Sequence, residues 1–224
     1  MVIVDNLTKV FPGKIRAVDG ISFQAQPGQI FGLLGPNGAG KTTTLRILAT
    51  LLRPTSGRAT VAGHDVVKEG EAVRQIIGVV NGGMGLYARL TGREILHYFG
   101  QFYGLGRRQV ERRIAELDAT LDLKASLDRR AGEFSSGMTQ KIVIARAILH
   151  DPKIIFFDEA TADLDVFARR AVLDFVRHFQ APDRLAIYST HVMSEANELC
   201  DRIAILHKGK LIAEDSLPAL KARG

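Results

Sequence analysis

Gly35-Pro36-Asn37-Gly38-Ala39-Gly40-Lys41-Thr42 has the composition and spacing of a loop that holds nucleotide phosphates. Its glycines let backbone N–H groups turn inward without Cβ clashes. Those groups, with the N-terminus of a following helix, attract phosphate oxygens. Lys41 can reach the β- and γ-phosphates, the Thr42 hydroxyl can ligate Mg2+, and Thr43 is one further nucleotide-contacting position. The alternative is a chance match, and the flanks argue against it. Ile30-Phe31-Gly32-Leu33-Leu34 is the short apolar run of a buried strand, and Thr43 to Leu52 places Leu45, Leu48, Ala49 and Leu52 on one helical face. Strand, glycine loop and helix follow in the order that phosphate binding requires.

Ile154-Ile155-Phe156-Phe157 reads as a second apolar strand and ends in Asp158-Glu159. Two acids after a strand often cap the next helix. In a chain with a phosphate loop they fit catalysis better: Asp158 for Mg2+ through a bound water, Glu159 for orienting or deprotonating the attacking water. His191 follows the strand Leu185 to Ser189 through Thr190, so it should emerge at the same sheet edge. Alone it reads equally well as a loop residue.

The elements that position these residues alternate. Val2–Val4 and Ile21–Phe23 read as early strands, with turns at Pro12-Gly13 and Pro27-Gly28. Arg58 to Ala62 and Ile76 to Val80 are extended. Thr91-Gly92-Arg93-Glu94 is a capping-box signal before Ile95, Leu96, Phe99 and Phe102. Arg107 to Leu121 is a charged helix, and Met138, Ile142, Ala145, Ile148 and Leu149 form a further stripe. Both apolar stripes are expected to pack a core. Val166 to Phe179 is a helix, a short helix near Glu195 to Leu199 follows, and strands close the chain on either side of Lys208-Gly209. The expected fold class is α/β, with a mainly parallel sheet, an early antiparallel β portion and an inserted helical subdomain. The core is expected at about 1–82 and 151–224, the subdomain at about 83–150. The glycine run at 82–85 reads as a hinge or a passive loop.

The 224 residues allow one substantial core, and 46% hydrophobic with 24% charged residues is ordinary for a soluble globular protein. A net charge of +6 is too small to choose between an anionic membrane surface and nucleic acid. Basic pairs such as Arg107-Arg108 and Arg129-Arg130 read as solvated surface. Cys200 is the only cysteine, which excludes an intrachain disulfide or a cysteine-rich metal site and leaves it as a small apolar filler. Met1 to Lys14 lacks the apolar core of a signal peptide, and no run approaches the ~18 residues of a membrane span. The expectation is a soluble, intracellular chain.

Phe134-Ser135-Ser136-Gly137-Met138 completes a set of motifs that resembles the ATP-binding subunits of ABC transporters. The likeness runs from about Val2 to Ser216 and joins this segment to the phosphate loop, Asp158-Glu159, Ala162-Asp163-Leu164-Asp165 and His191. Gly85 to Thr91 and Ser135 to Met138 look most like bacterial sodium- or drug-efflux ATPases. The resemblance implies that Phe11 stacks on adenine. It implies that Ser135 and Gly137 contact the γ-phosphate of ATP bound to an opposite subunit, and that Asp165 links the two sites of a dimer. It gives His191 the γ-phosphate and the attacking water, with Lys41 and Glu159 as its catalytic companions. ATP and Mg2+ are the implied cofactors. The implied partners are a second ATPase subunit, identical or different, and a separate transmembrane permease subunit, which would place the chain on the cytoplasmic face of the cell membrane. No nucleic-acid partner is expected. Rival readings are an ABC-type ATPase acting on ribosomes or DNA, and a nucleotide kinase, against which Phe134 to Met138 argues. The chain departs from the family at Gly82, where glutamine is usual, at Ser136 and Met138 in the signature, and at Ala160. Water or Asn81 is expected to fill the contact missing at Gly82.

Overall fold

The computed structural model describes residues 1–83 and 85–222, apart from the Lys221 side chain. Along the chain come β1 (Val2–Phe11), β2 (Ile15–Ala25), β3 (Ile30–Leu34), α1 (Lys41–Leu48), β4 (Ser56–Val61), β5 (His64–Asp65), α2 (Gly70–Ile76) and β6 (Ile77–Asn81). Then follow α3 (Gly92–Phe102), α4 (Arg107–Leu121), α5 (Lys124–Leu127), α6 (Ser136–Ile148) and β7 (Ile154–Asp158). The last elements are α7 (Val166–Phe179), β8 (Leu185–Thr190), α8 (Met193–Leu199), β9 (Arg202–His207), β10 (Lys210–Ser216) and α9 (Leu217–Ala222). The chain divides into two compact units. Met1–Val79, Lys153–Glu159 and Val176–Gly224 form the first, and Val80–Pro152 with Ala160–Phe175 the second.

In the first unit an antiparallel sheet has the order β2-β1-β4-β5. A six-stranded sheet has the order β10-β9-β3-β8-β7-β6, with β3 parallel to β8 and β9, and β7 parallel to β8. Every residue of β3, β7 and β8 is buried. A strand covered on both faces has no polar side to alternate with, which is why these segments read as mostly apolar runs, with polar residues only at the carboxyl ends of β7 and β8. Leu7, Phe23, Phe31, Leu33, Leu45, Leu48, Phe156 and Ile187 belong to one core cluster, and the Phe23 and Phe31 rings stack 5.3 Å apart. Cys200 is buried, as expected of a filler, and that burial pushes its thiol up to about 12.

Several boundaries moved. α1 stops at Leu48 rather than Leu52, because Thr50 adopts a left-handed backbone (φ 64°) and the N–H groups of Leu51 and Leu52 both return to the Arg46 carbonyl. β1 and β2 run far past the expected cores, because β1 pairs with β2 on one side and β4 on the other. α2 buries only Val73, too little periodicity to be seen in sequence.

In the second unit α3 packs on α4, α5 and α6 around Ile95, Leu96, Ile114, Ile142 and Leu149. The capping box is present: the Thr91 hydroxyl accepts from Glu94 N at 3.2 Å, and the Glu94 carboxylate accepts from Thr91 N at 2.8 Å. Phe102, expected in the core stripe, is exposed, and it joins Tyr87, Tyr98 and Phe99 in an aromatic surface cluster. The glycine run at 82–85 includes Met84, which lies outside the described residues.

Candidate functional site

Parallel register builds the site. Leu34 pairs with Thr190, and Asp158 with Ser189. The residues that follow, Gly35, Glu159 and His191, therefore leave neighbouring strands at one carboxyl edge, where open α/β sheets bind ligands. The phosphate loop runs from that edge of β3 into α1. Gly40 carries φ +105°, and a Cβ there would stand 2.5 Å from the Ala17 carbonyl oxygen, so no other residue fits. The loop is tied to its surroundings by Gly209 N donating to the Ala39 carbonyl at 3.0 Å, and Asp19 N to that of Gly209 at 2.8 Å.

Lys41 is 3% exposed. Its ammonium donates to the carbonyls of Gly35 (2.7 Å) and Pro36 (3.1 Å) and pairs with the Glu159 carboxylate at 3.1 Å. A buried cation needs such partners, and here they occupy the hydrogens that phosphate oxygens would take. The Thr42 hydroxyl donates to Asp158 Oδ1 at 2.9 Å, and the Ser189 hydroxyl donates to the same oxygen at 2.9 Å. Glu159 has a left-handed backbone (φ 49°), with its N–H shared between the Ser189 carbonyl and hydroxyl, each at 3.2 Å. His191 Nδ1 lies 3.8 Å from Glu159 Oε1, so that carboxylate stands between the lysine and the histidine. Neither acid caps a helix.

A cavity of about 530 Å³ opens beside these groups, lined by Phe11, Ile15, Arg16, Ala17, Asn37 to Thr43 and Glu159. Phe11 thus reaches the loop, with Lys9 Nζ 5.3 Å from its ring centroid. The donor set suits Mg2+, a hard cation that takes oxygen ligands and usually one or two protein groups beside water and phosphate. A hydroxyl and a carboxylate already 2.9 Å apart meet that requirement.

Ser135, Gly137 and Asp165 belong to the second unit. Ser135 is the N-cap of α6, its hydroxyl accepting from Met138 N at 3.3 Å, and Gly137 lies in the first turn. Asp165 accepts from Phe167 N and Ala168 N at the start of α7 and from the Ser136 hydroxyl. The Ser136 hydroxyl first, then Ala168 N, holds its carboxyl below the usual aspartate range. Gly82 is exposed in the turn after β6.

Two features went unread in the sequence. Ser189 reads in sequence only as part of an apolar strand. Glu195, buried, accepts from the Tyr188 hydroxyl (2.9 Å) and the Thr190 hydroxyl (2.7 Å), bracing the turn that carries His191. For Ser189 the signal was a polar residue at the end of a mostly apolar strand, which burial obliges to find a partner; nothing in the polar stretch around Glu195 marks it.

Fold and site together define a phosphate-loop ATPase. Residues 18–162 match the family described as ABC transporter. The chain is 42% identical over 207 residues to the ABC transporter ATP-binding protein NatA of Bacillus subtilis (strain 168), covering 92% of this chain and 84% of that one. It is 40% identical over 223 residues to the doxorubicin resistance ATP-binding protein DrrA of Mycobacterium tuberculosis (strain H37Rv), covering 99% and 67%. Among solved structures, a dimeric ATP-binding cassette in a post-hydrolysis state with ADP and phosphate superposes with a TM-score of 0.86 at 25% identity, over 97% of this chain and 99% of that one. The chain belongs to the ABC transporter family, as an ATP-binding subunit.

Proposed function

We propose that this chain is the ATP-hydrolysing motor of a membrane exporter, working as a dimer with a second ATPase subunit and with a separate transmembrane permease on the cytoplasmic face of the cell membrane. Among the described residues no helix is long and apolar enough to cross a membrane, in keeping with that division of labour. The observation that carries the reading is the meeting, at one sheet edge, of a buried ammonium, a hydroxyl–carboxylate pair and a second carboxylate beside a cavity. The names of similar proteins, among them a drug-resistance and a Nod factor export ATP-binding protein, support export.

Adenine packs on Phe11, and the triphosphate lies along Gly35 to Thr43. Lys41 exchanges Glu159 and the loop carbonyls for the β- and γ-phosphates. Thr42 and Asp158 would hold Mg2+, which when bound would neutralise charge on the phosphates. Glu159, released by Lys41, orients the attacking water and accepts its proton, while His191 holds the γ-phosphate and that water. Preorganised charge at the transferring phosphoryl group supplies most of the catalysis. Ser135 and Gly137 of one subunit close over the ATP of the other through a helix N-terminus, and Asp165 links the two sites. Asn81 or a water takes the place of the usual glutamine.

Glu159→Gln tests this reading. Phosphate release should fall to background while ATP traps a dimer visible by light scattering. Unchanged hydrolysis removes Glu159 from its role, and co-purification with ribosomes instead of a membrane protein removes the export reading.

A further inference from the structure

β8 sends successive side chains to opposite faces of the sheet, and its last residues are used on both. Tyr188 and Thr190 hold Glu195 on one side. Ser189, fully buried between them, serves the other. Its hydroxyl proton goes to Asp158 Oδ1 at 2.9 Å, while its oxygen accepts the Glu159 N–H at 3.2 Å. A single side-chain oxygen therefore bonds two consecutive acids with different tasks.

Asp158 Oδ1 has a second donor, the Thr42 hydroxyl. The two donors differ in footing. Thr42 stands where the phosphate loop enters α1 and is itself a proposed ligand of the cation. Ser189 stands on a strand paired on both sides, β3 to one flank and β7 to the other. We propose that Ser189 is a positioning residue that fixes the orientation of the Asp158 carboxylate and so sets the affinity of the site for the divalent cation that accompanies the nucleotide. The inference rests on the ATPase reading above and adds to it a residue that touches neither nucleotide nor metal. The Glu159 N–H keeps the Ser189 carbonyl when the hydroxyl is removed, so the loss falls on Asp158. Groups that orient metal ligands typically change metal affinity by roughly 10–100-fold when removed.

The test uses the stoichiometric protein–ADP complex titrated with Mn2+ and followed by electron paramagnetic resonance, with ADP affinity in EDTA measured separately by calorimetry. Ser189→Ala should need about tenfold more Mn2+ for half-saturation, with its EDTA affinity for ADP unchanged, because Ser189 does not line the nucleotide cavity. Ser189→Thr keeps the hydroxyl on a strand that suits β-branched residues and should keep the wild-type Mn2+ requirement. The inference is overturned if Ser189→Ala takes up Mn2+ like the wild type, or if it loses ADP and Mn2+ affinity together, which marks a merely structural role. A wild-type complex that takes up no Mn2+ would instead sink the metal site itself, and this inference with it.

Discussion

The Lys41 ammonium is engaged by two carbonyls and the Glu159 carboxylate, and phosphate oxygens would compete with them for its hydrogens. Weakening the Glu159 contact should tighten binding. A hydrogen bond to a charged acceptor contributes about 1.5–3 kcal/mol and one to a neutral acceptor about 0.5–1.5 kcal/mol. Glu159→Gln exchanges one for the other, a difference of about 1 kcal/mol, or roughly fivefold in affinity. Glu159→Ala removes the acceptor altogether and should tighten binding further, by about tenfold. The carboxylate's repulsion of the diphosphate acts in the same direction. The two variants separate the effects, since both remove the charge and only alanine removes the acceptor. ADP in EDTA is the right ligand, because it allows neither turnover nor closure on a γ-phosphate. Calorimetric affinities should rank Ala tighter than Gln, and Gln tighter than wild type. Equal affinities in all three proteins would show that the Lys41–Glu159 contact does not compete with phosphate.

A Cβ at Gly35 would meet the Leu206 carbonyl oxygen well inside contact distance and Ala39 Cβ at 3.0 Å. Gly35→Ala should cost about 1–3 kcal/mol, lowering Tm by about 2–4 °C per kcal/mol in scanning calorimetry; an unchanged Tm refutes the packing argument. The Asp165 carboxyl, depressed by Ser136 and Ala168, contributes stability that is present above its unfolded pKa of about 3.9 and is lost as pH falls through the lower folded value. Asp165→Asn keeps a capping side chain but not the charge, so its Tm should lie below wild type at pH 7, and the gap should narrow as pH falls below about 3.9; a constant gap counts against the assignment.

What the sequence disclosed depended on how far apart the cooperating residues lie. The phosphate loop was legible because its chemistry is local: glycine torsions, lysine and hydroxyl are dictated within one turn. β3, β7 and β8 were legible as apolar runs because burial on both faces leaves no other pattern. α1 was overextended because Leu52 packs against the core from outside the helix, and periodicity records burial rather than backbone geometry. Phe102 was misplaced for the complementary reason, since an exposed aromatic patch repeats at the same spacing as a core stripe. Ser135, Gly137 and Asp165 gave only helix-cap signals, and their functional reading came through resemblance.

Ser189 marks the boundary most sharply. Its partner Asp158 is 31 residues away, and nothing in either local sequence names the other. What joins them is the register of two parallel strands, which pairs them as direct neighbours. The same register carries Lys41, Glu159 and His191 to a common edge, so a one-residue slip of β8 would exchange Ser189 for Tyr188 or Thr190 and turn the hydroxyl away from the acids. The geometry of the candidate site and the sheet register are therefore a single constraint. The buried Thr190–Glu195–Tyr188 contacts on the opposite face of β8 resist that slip, because a displaced strand would leave a buried carboxylate without its two hydroxyl donors.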